Sequence, residues 1–273
     1  MRIGFNFTLG STMGLVQRLI RERRIDYCEL LIDNFLQVPP AQLAAAFDCP
    51  LGFHIMFSKF LESDVDYLEA MAERLHRHIE ALQPLYVSDH IARFNHGGRQ
   101  LYHLAEIDYD SEYRHVRDRV EYWQARLGQR LHLENYPSLL GGGRAAPEFF
   151  ARLIRDTGAG LLFDVSNAIC AQRNGVIAAE AWLPLIEAAT HFHIAGYRES
   201  ILAPKLTLDT HDAPLADDTL EFLARYRTHF DKPGATLTYE RDDRFDEAEI
   251  DRDLAALRAI FPRLDDREHA DAA

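Results

Sequence analysis

Cysteine is scarce in this chain of 273 residues, where Cys28, Cys49 and Cys170 are the three present. Their odd number and the lack of a CxxC pair argue against a disulfide framework and against a thiolate metal cage. Long hydrophobic runs are also missing, so no segment reads as a membrane span. The opening Met1-Arg2 leads into a short apolar stretch interrupted by Asn6 and Thr8, without a secretory cleavage pattern. Positive charge is in deficit: 30 Lys and Arg face 43 Asp and Glu, for a formal net charge of −13 with His neutral. That balance disfavours broad contact with a nucleic-acid backbone or an anionic bilayer. The expectation is a cytoplasmic protein with neither a nucleic-acid nor a membrane partner. No Gly-, Ser- or Pro-rich linker divides the chain, which reads as one domain over 1–262 followed by a charged tail, 263–273.

What is present is an alternation of short β-branched and apolar runs with longer segments of helical period. Candidate strands are Arg2–Thr8, Asp26–Asp33, Leu51–Phe57, Leu85–His90, Leu131–Asn135, Gly160–Val165, His191–Ala195 and Ala235–Glu240. Between them run apolar stripes such as Val65, Leu68, Ala72, Leu75, Ile79 and Leu82, or Val116, Val120, Trp123 and Leu127. A last helix carries Ile250, Leu254, Leu257 and Ile260 behind a capping-box-like start at Asp246 and Glu249. Eight βα units in this length predict an α/β fold, the closed (β/α)8 or TIM barrel, with a doubly wound open sheet as the alternative.

A strand has two faces, and here the inward faces are polar. In Leu131-His132-Leu133-Glu134 the leucines share one face while His132 and Glu134 share the other. Ionisable groups inside a barrel are costly unless paired or bound to metal, and here they gather at one end of the strands. His54, His90, Glu134, Asp164, Asn167, His193 and Glu240 end successive strands, and Asp209 with His211 follows the seventh. The C-terminal mouth of such a barrel is where active sites are built. Four carboxylates aimed at one mouth, with no lysine among these strand ends, would repel unless cations sat between them. Imidazole and carboxylate without thiolate suit iron, manganese or zinc, and a multinuclear site is expected.

His132 and His191 lie one layer deeper and read as packed or orienting groups. His76 and His78 fall on an exposed-looking helix, His96 and His103 in a loop, and His115, His229 and His269 on the surface. Gly141-Gly142-Gly143 lacks phosphate-cradling spacing and reads as a mobile loop. Gly10-Ser11-Thr12 reads as a helix cap, and Cys170 as a packing residue. Asp242 and Arg241, just beyond Glu240, are candidate catalytic groups for proton relay or water orientation, with a loop salt bridge as the alternative.

Seven motifs carry a family resemblance: Phe53-His54-Ile55-Met56, Val87-Ser88-Asp89-His90, Leu133-Glu134-Asn135-Tyr136, Phe163-Asp164-Val165-Ser166-Asn167-Ala168, His193-Ile194-Ala195-Gly196, Asp209-Thr210-His211-Asp212 and Tyr239-Glu240-Arg241-Asp242. In this order, from Arg2 to about Pro262, the chain resembles the multinuclear non-haem iron-dependent oxidative enzymes. Gly4-Phe5-Asn6-Phe7-Thr8, Ile32-Asp33-Asn34-Phe35 and Phe230-Asp231-Lys232-Pro233-Gly234-Ala235-Thr236 are similar to the subgroup of catalytic B components of methanobactin biosynthesis. The resemblance implies a xylose-isomerase-like barrel holding two or three iron ions, mixed ferrous and ferric, with dioxygen as co-substrate. It implies that Glu134 bridges two irons, one completed by His54 and His90 and the other by Asp164, His193 and Glu240. Asn167, Asp209 and His211 are implied to hold a third. It further implies a heterodimer with a smaller partner subunit, and oxidation of cysteines in a ribosomally made precursor peptide to oxazolone and thioamide groups, as in a copper-binding methanobactin. A divalent-metal sugar isomerase, a three-zinc phosphodiester endonuclease, or a peptide-binding scaffold with structural metals would fit the same barrel and ligand types.

Overall fold

Wherever apolar and polar residues alternate over a few positions, the chain forms a strand with one face toward the helices and one toward a central axis. The structure is a computed structural model that describes residues 1–8 and 10–263. The expected tail beyond Arg263, His269 included, lies outside the described residues. The barrel strands are β1 (Arg2–Phe7), β2 (Tyr27–Leu31), β3 (Leu51–Ile55), β4 (Val87–His90), β5 (Leu131–Glu134), β6 (Gly160–Asp164), β7 (His191–Ala195) and β8 (Thr236–Glu240). Each pairs in parallel with its neighbours in sequence, and β8 returns to β1 with Ile3 opposite Leu237, closing the barrel. An open doubly wound sheet is thereby excluded.

Outward residues such as Ile3, Phe5, Phe53, Leu131, Leu133, Phe163, Phe192 and Leu237 are buried against the helical ring. The inward face begins with a small apolar plug of Tyr27, Tyr86 and Leu162, separate from that main core. Gly4 and Gly160 make room for it and for the ring beside it: a Cβ on Gly4 would lie 2.4 Å from the Tyr27 ring, and one on Gly160 2.3 Å from His132. His132 and His191 pack edge to face at this level, ring centroids 4.4 Å apart, one layer below Glu134 and His193 as the sequence period implies.

Helix ends follow local chemistry. Asp64 caps Val65–Leu82 by accepting the Tyr67 N–H at 2.7 Å, and Asp246 caps Glu247–Ile260 through the Ala248 and Glu249 N–H groups. The expected capping box is only half formed, because the Glu249 side chain pairs with Arg241 instead. Thr12 makes no side-chain cap bond to the helix Met13–Arg21. Among the described residues, no helix is long and apolar enough to cross a membrane.

The structure departs from the sequence reading at two kinds of position. Segments expected as loops form antiparallel hairpins, one of Arg93–His96 with Arg99–Ala105 and one of Tyr197–Glu199 with Thr207–Asp209. His96 and His103 therefore lie on strands. His78 is buried, not exposed: Nδ1 bonds the Arg74 carbonyl of its own helix and Nε2 the Val38 carbonyl, which ties Val65–Leu82 to the β2–β3 connection.

Candidate metal centre

Strand register brings the ionisable side chains together. His90 on β4 stands opposite Glu134 on β5, and Asp164 on β6 opposite His193 on β7. Because inward positions recur every second residue, six neighbouring strands each deliver one donor to the same end. His54, His90 and Glu134 form one group whose donor atoms lie within 4.8 Å of one another. Glu134, Asp164, His193 and Glu240 form a second, so the Glu134 carboxylate is common to both.

Hydrogen bonds aim these groups. Ser88 donates its hydroxyl to the Phe53 carbonyl and accepts from His54 Nδ1 at 2.8 Å, which leaves His54 Nε2 facing Glu134 Oε2 at 3.5 Å. His90 Nδ1 donates to the Ile55 carbonyl at 3.2 Å, leaving its Nε2 3.1 Å from the same Glu134 oxygen. His193 Nδ1 stands 3.0 Å from Glu240 Oε2. Asp164 also caps the helix Val165–Arg173 through the Asn167 N–H, so a single carboxylate starts that helix and faces the cluster.

The loop contribution comes from the second hairpin. Asp209 closes it, and His211 bonds Asp209 Oδ2 at 2.8 Å through Nε2 and Asp242 Oδ2 at 3.0 Å through Nδ1. Asn167 donates to Glu134 Oε1 at 3.2 Å and to the Asn135 carbonyl. Asp242 sits on the rim and accepts from Asn6 Nδ2 at 2.8 Å. Arg241 does not line the cavity. Its buried guanidinium turns outward to the Asp243 and Arg244 carbonyls and to Glu249, in the loop salt bridge that was the alternative to a catalytic role.

Six of the buried side-chain atoms without a hydrogen-bond partner lie in this cluster, the others being scattered through the fold. Glu134 Oε2, Asp164 Oδ2, Asn167 Oδ1, His193 Nδ1, Asp209 Oδ1 and Glu240 Oε2 are buried without hydrogen-bond partners. Buried polar atoms are ordinarily satisfied, and each orphan costs roughly 1–3 kcal/mol. All six belong to this one cluster, and all can donate an electron pair to a cation. Burial, reinforced by the neighbouring carboxylates, pushes Glu134 well above the usual carboxylate range and Asp164 up to about 7. Burial and adjacent imidazoles push His54 well below its ordinary value and His90 down to about 4. Carboxylates beside His193 and His211 act the other way and raise both imidazoles well above their ordinary value against the effect of burial, so without cations the site suppresses charge on Glu134, Asp164, His54 and His90 and keeps it on these two rings. The donor set of imidazole, carboxylate and one amide oxygen fits two or more borderline transition-metal ions.

The family model of the RiPP precursor modification enzymes MbnB/TglH/ChrH matches residues 6–261. The chain belongs to this family. A UPF0276 protein of Bordetella bronchiseptica is 32% identical over 206 residues, covering 70% of this chain and 71% of the relative. One from Anaeromyxobacter is 27% identical over 251 residues, covering 85% and 86%. Among solved structures, 3-keto-D-glucoside 4-epimerase YcjR from E. coli has a TM-score of 0.57 at 16% identity, covering 95% of this chain and 98% of that one. Endonuclease IV from Thermus thermophilus has a TM-score of 0.54 at 18% identity, again over 95% and 98%. At those identities the likeness concerns the barrel alone.

In this member of the MbnB/TglH/ChrH family the cluster floors a cavity of about 220 Å³. Leu31, Met56, Ile91 and Leu104 supply an apolar wall, and Asn6, Thr8, Tyr136 and Asp242 contribute polar groups. Sequence reading missed Glu29, a buried acid on β2 whose carboxylate meets His193 Nε2 at 2.7 Å. Its signal was present: an acid between Cys28 and Leu30 occupies an inward position of an otherwise apolar strand.

Proposed function

We propose that this RiPP precursor modification enzyme is an iron- and dioxygen-dependent oxidase that converts cysteine residues of its precursor peptide to oxazolone and thioamide groups, as catalytic subunit beside a smaller partner. The observation that carries this reading is the joining of two ligand groups through Glu134 under one cavity with an apolar wall. Nine donors are assigned to metal: His54, His90, Glu134, Asp164, Asn167, His193, Asp209, His211 and Glu240. When bound there, iron supplies a Lewis acid for the substrate thiolate and electrons for dioxygen.

The chain's own residues do the rest. Leu31, Met56, Ile91 and Leu104 exclude water around the cysteine side chain. Asp242 Oδ2 with His211 Nδ1 forms a rim pair that can hold or pass a proton, and Asn6 keeps it in place through Asp242 Oδ1. Arg241 positions Asp242 by anchoring the loop behind it.

The test is anaerobic loading of the full chain with ferrous iron, then addition of a cysteine-containing precursor peptide, the partner and dioxygen. Oxygen uptake matched by conversion of the peptide, read by mass spectrometry, is expected. A protein that is active with zinc or manganese and consumes no oxygen overturns the oxidative reading.

A further inference from the structure

Glu29 is 1% exposed, and its surroundings give its carboxylate a defined task. Its Oε2 accepts from His193 Nε2 at 2.7 Å and from the Tyr86 hydroxyl, with Thr238 Oγ1 at 3.4 Å. The supporting hydroxyls are themselves tied together: Thr238 Oγ1 lies 2.7 Å from the Tyr27 hydroxyl and 2.9 Å from that of Tyr86. Gly52 leaves space for this, since a Cβ there would lie 2.8 Å from the Tyr86 ring.

His193 is mounted in the opposite sense to the other two strand imidazoles. His54 and His90 spend Nδ1 on Ser88 and on the Ile55 carbonyl and present Nε2 to the cavity. His193 spends Nε2 on Glu29 and presents Nδ1, which is buried without a hydrogen-bond partner and lies 3.0 Å from Glu240 Oε2. We propose that Glu29 is a positioning residue: it fixes the proton of His193 on Nε2 and delivers the Nδ1 lone pair to the metal group of Glu134, Asp164 and Glu240. A carboxylate behind a ligating imidazole locks the ring and raises its basicity. Glu29 is itself near enough to His54 and His193 to be counted as a ligand. Its Oε2 is already occupied by donors, however, and a cation at that oxygen would displace the Nε2 proton. The inference rests on the cluster being a metal centre, and is independent of which metal or reaction it serves.

The test uses the full chain with cobalt and zinc as probes. In the zinc-loaded protein labelled with 15N-histidine, His193 is expected to carry its proton on Nε2 and to show the metal shift on Nδ1. Glu29→Gln, which keeps an acceptor, is expected to weaken cobalt at the His193 group by about 10-fold, and Glu29→Ala by about 100-fold, with the His54–His90 group less affected. Zinc on Nε2 of His193, or unchanged cobalt affinity in folded Glu29→Gln, overturns the proposal while leaving the metal centre standing. Failure of the unaltered protein to take up either ion removes both. Should Glu29→Ala not fold, the isosteric Gln variant and the spectrum of the unaltered protein decide the matter.

Discussion

Glu134 and His90 face each other across β5 and β4, with Glu134 Oε2 3.1 Å from His90 Nε2. That same oxygen is 3.5 Å from His54, has no hydrogen-bond partner, and belongs to both ligand groups. In the cation-free site the carboxylate is a liability, since burial, with the Glu240, Asp164 and Asp209 charges, outweighs the His193 imidazole that favours its ionisation. Glu134→Gln is therefore expected to leave the chelated protein at least as thermostable as the original while losing more than one ion per chain. Metal analysis beside a melting curve checks this, and retention of a full metal complement sinks the bridging role.

His54 shares the group of His90 and Glu134, and Glu240 the group of Glu134, Asp164 and His193. His54→Ala or Glu240→Ala should each lose metal and peptide oxidation together while the circular dichroism spectrum stays native. Normal turnover in either variant would count against the whole assignment. The fold is expected to survive because both side chains end strands whose outward residues, such as Phe53 and Tyr239, remain buried in the main core.

The pH dependence of the metal-free protein follows from Asp164. Its carboxyl is pushed up to about 7 by burial, with Asp209 and Glu240 adding to the effect. An unfolded Asp titrates at about 3.9. The folded chain thus holds an extra proton over that interval, and the associated stability is complete below about pH 4 and lost as pH rises through about 7. Asp164→Asn mimics the protonated form. The melting temperature of chelated Asp164→Asn should accordingly rise relative to the unaltered protein as pH goes from about 5 to about 8. A gap independent of pH would show that Asp164 is ionised throughout.

Arg241 tests the difference between touching the reaction and holding the loop. Arg241→Ala removes three anchors behind Asp242, two of them backbone carbonyls, and leaves Glu249 unpaired. A loss of about 1–3 kcal/mol is expected, in the range for a charged hydrogen bond. Turnover should fall in parallel with the displacement of Asp242. Full stability with abolished turnover would instead favour a direct catalytic role for Arg241.

Most of the barrel and its inner donors could be read in the sequence because the period of two separates Leu131 and Leu133 from His132 and Glu134 without knowledge of the fold. The two hairpins could not, since strands such as Tyr197–Glu199 are too short to show a period. His78 looked exposed because its helix face appeared polar, and only the Arg74 and Val38 carbonyls that satisfy its ring explain its burial. Glu29 was not legible as part of the site because it sits mid-strand on β2, one layer in from the strand ends where the other donors gather. Arg241 was legible as a neighbour of Glu240 that alternation turns away from the axis, but its partners, the Asp243 and Arg244 carbonyls and Glu249, come from segments whose approach the sequence does not show.

Gly196 links the loop donors to the barrel, and its substitution separates them from the strand donors. It follows β7 and passes so near the next segment that a Cβ would lie 1.8 Å from the Ala213 carbonyl oxygen. Its own carbonyl accepts from the His211 N–H at 2.9 Å, so the close approach fixes the segment that carries Asp209 and His211 over the cavity. Gly196→Ala must push backbone against backbone, which no rotamer change relieves, at about 1–3 kcal/mol for overpacking. The expected result is a melting temperature lower by several degrees and a selective loss of the ion assigned to Asn167, Asp209 and His211, while the ions at His54, His90 and His193 remain. A metal complement equal to that of the unaltered protein would mean that the loop donors hold no ion of their own.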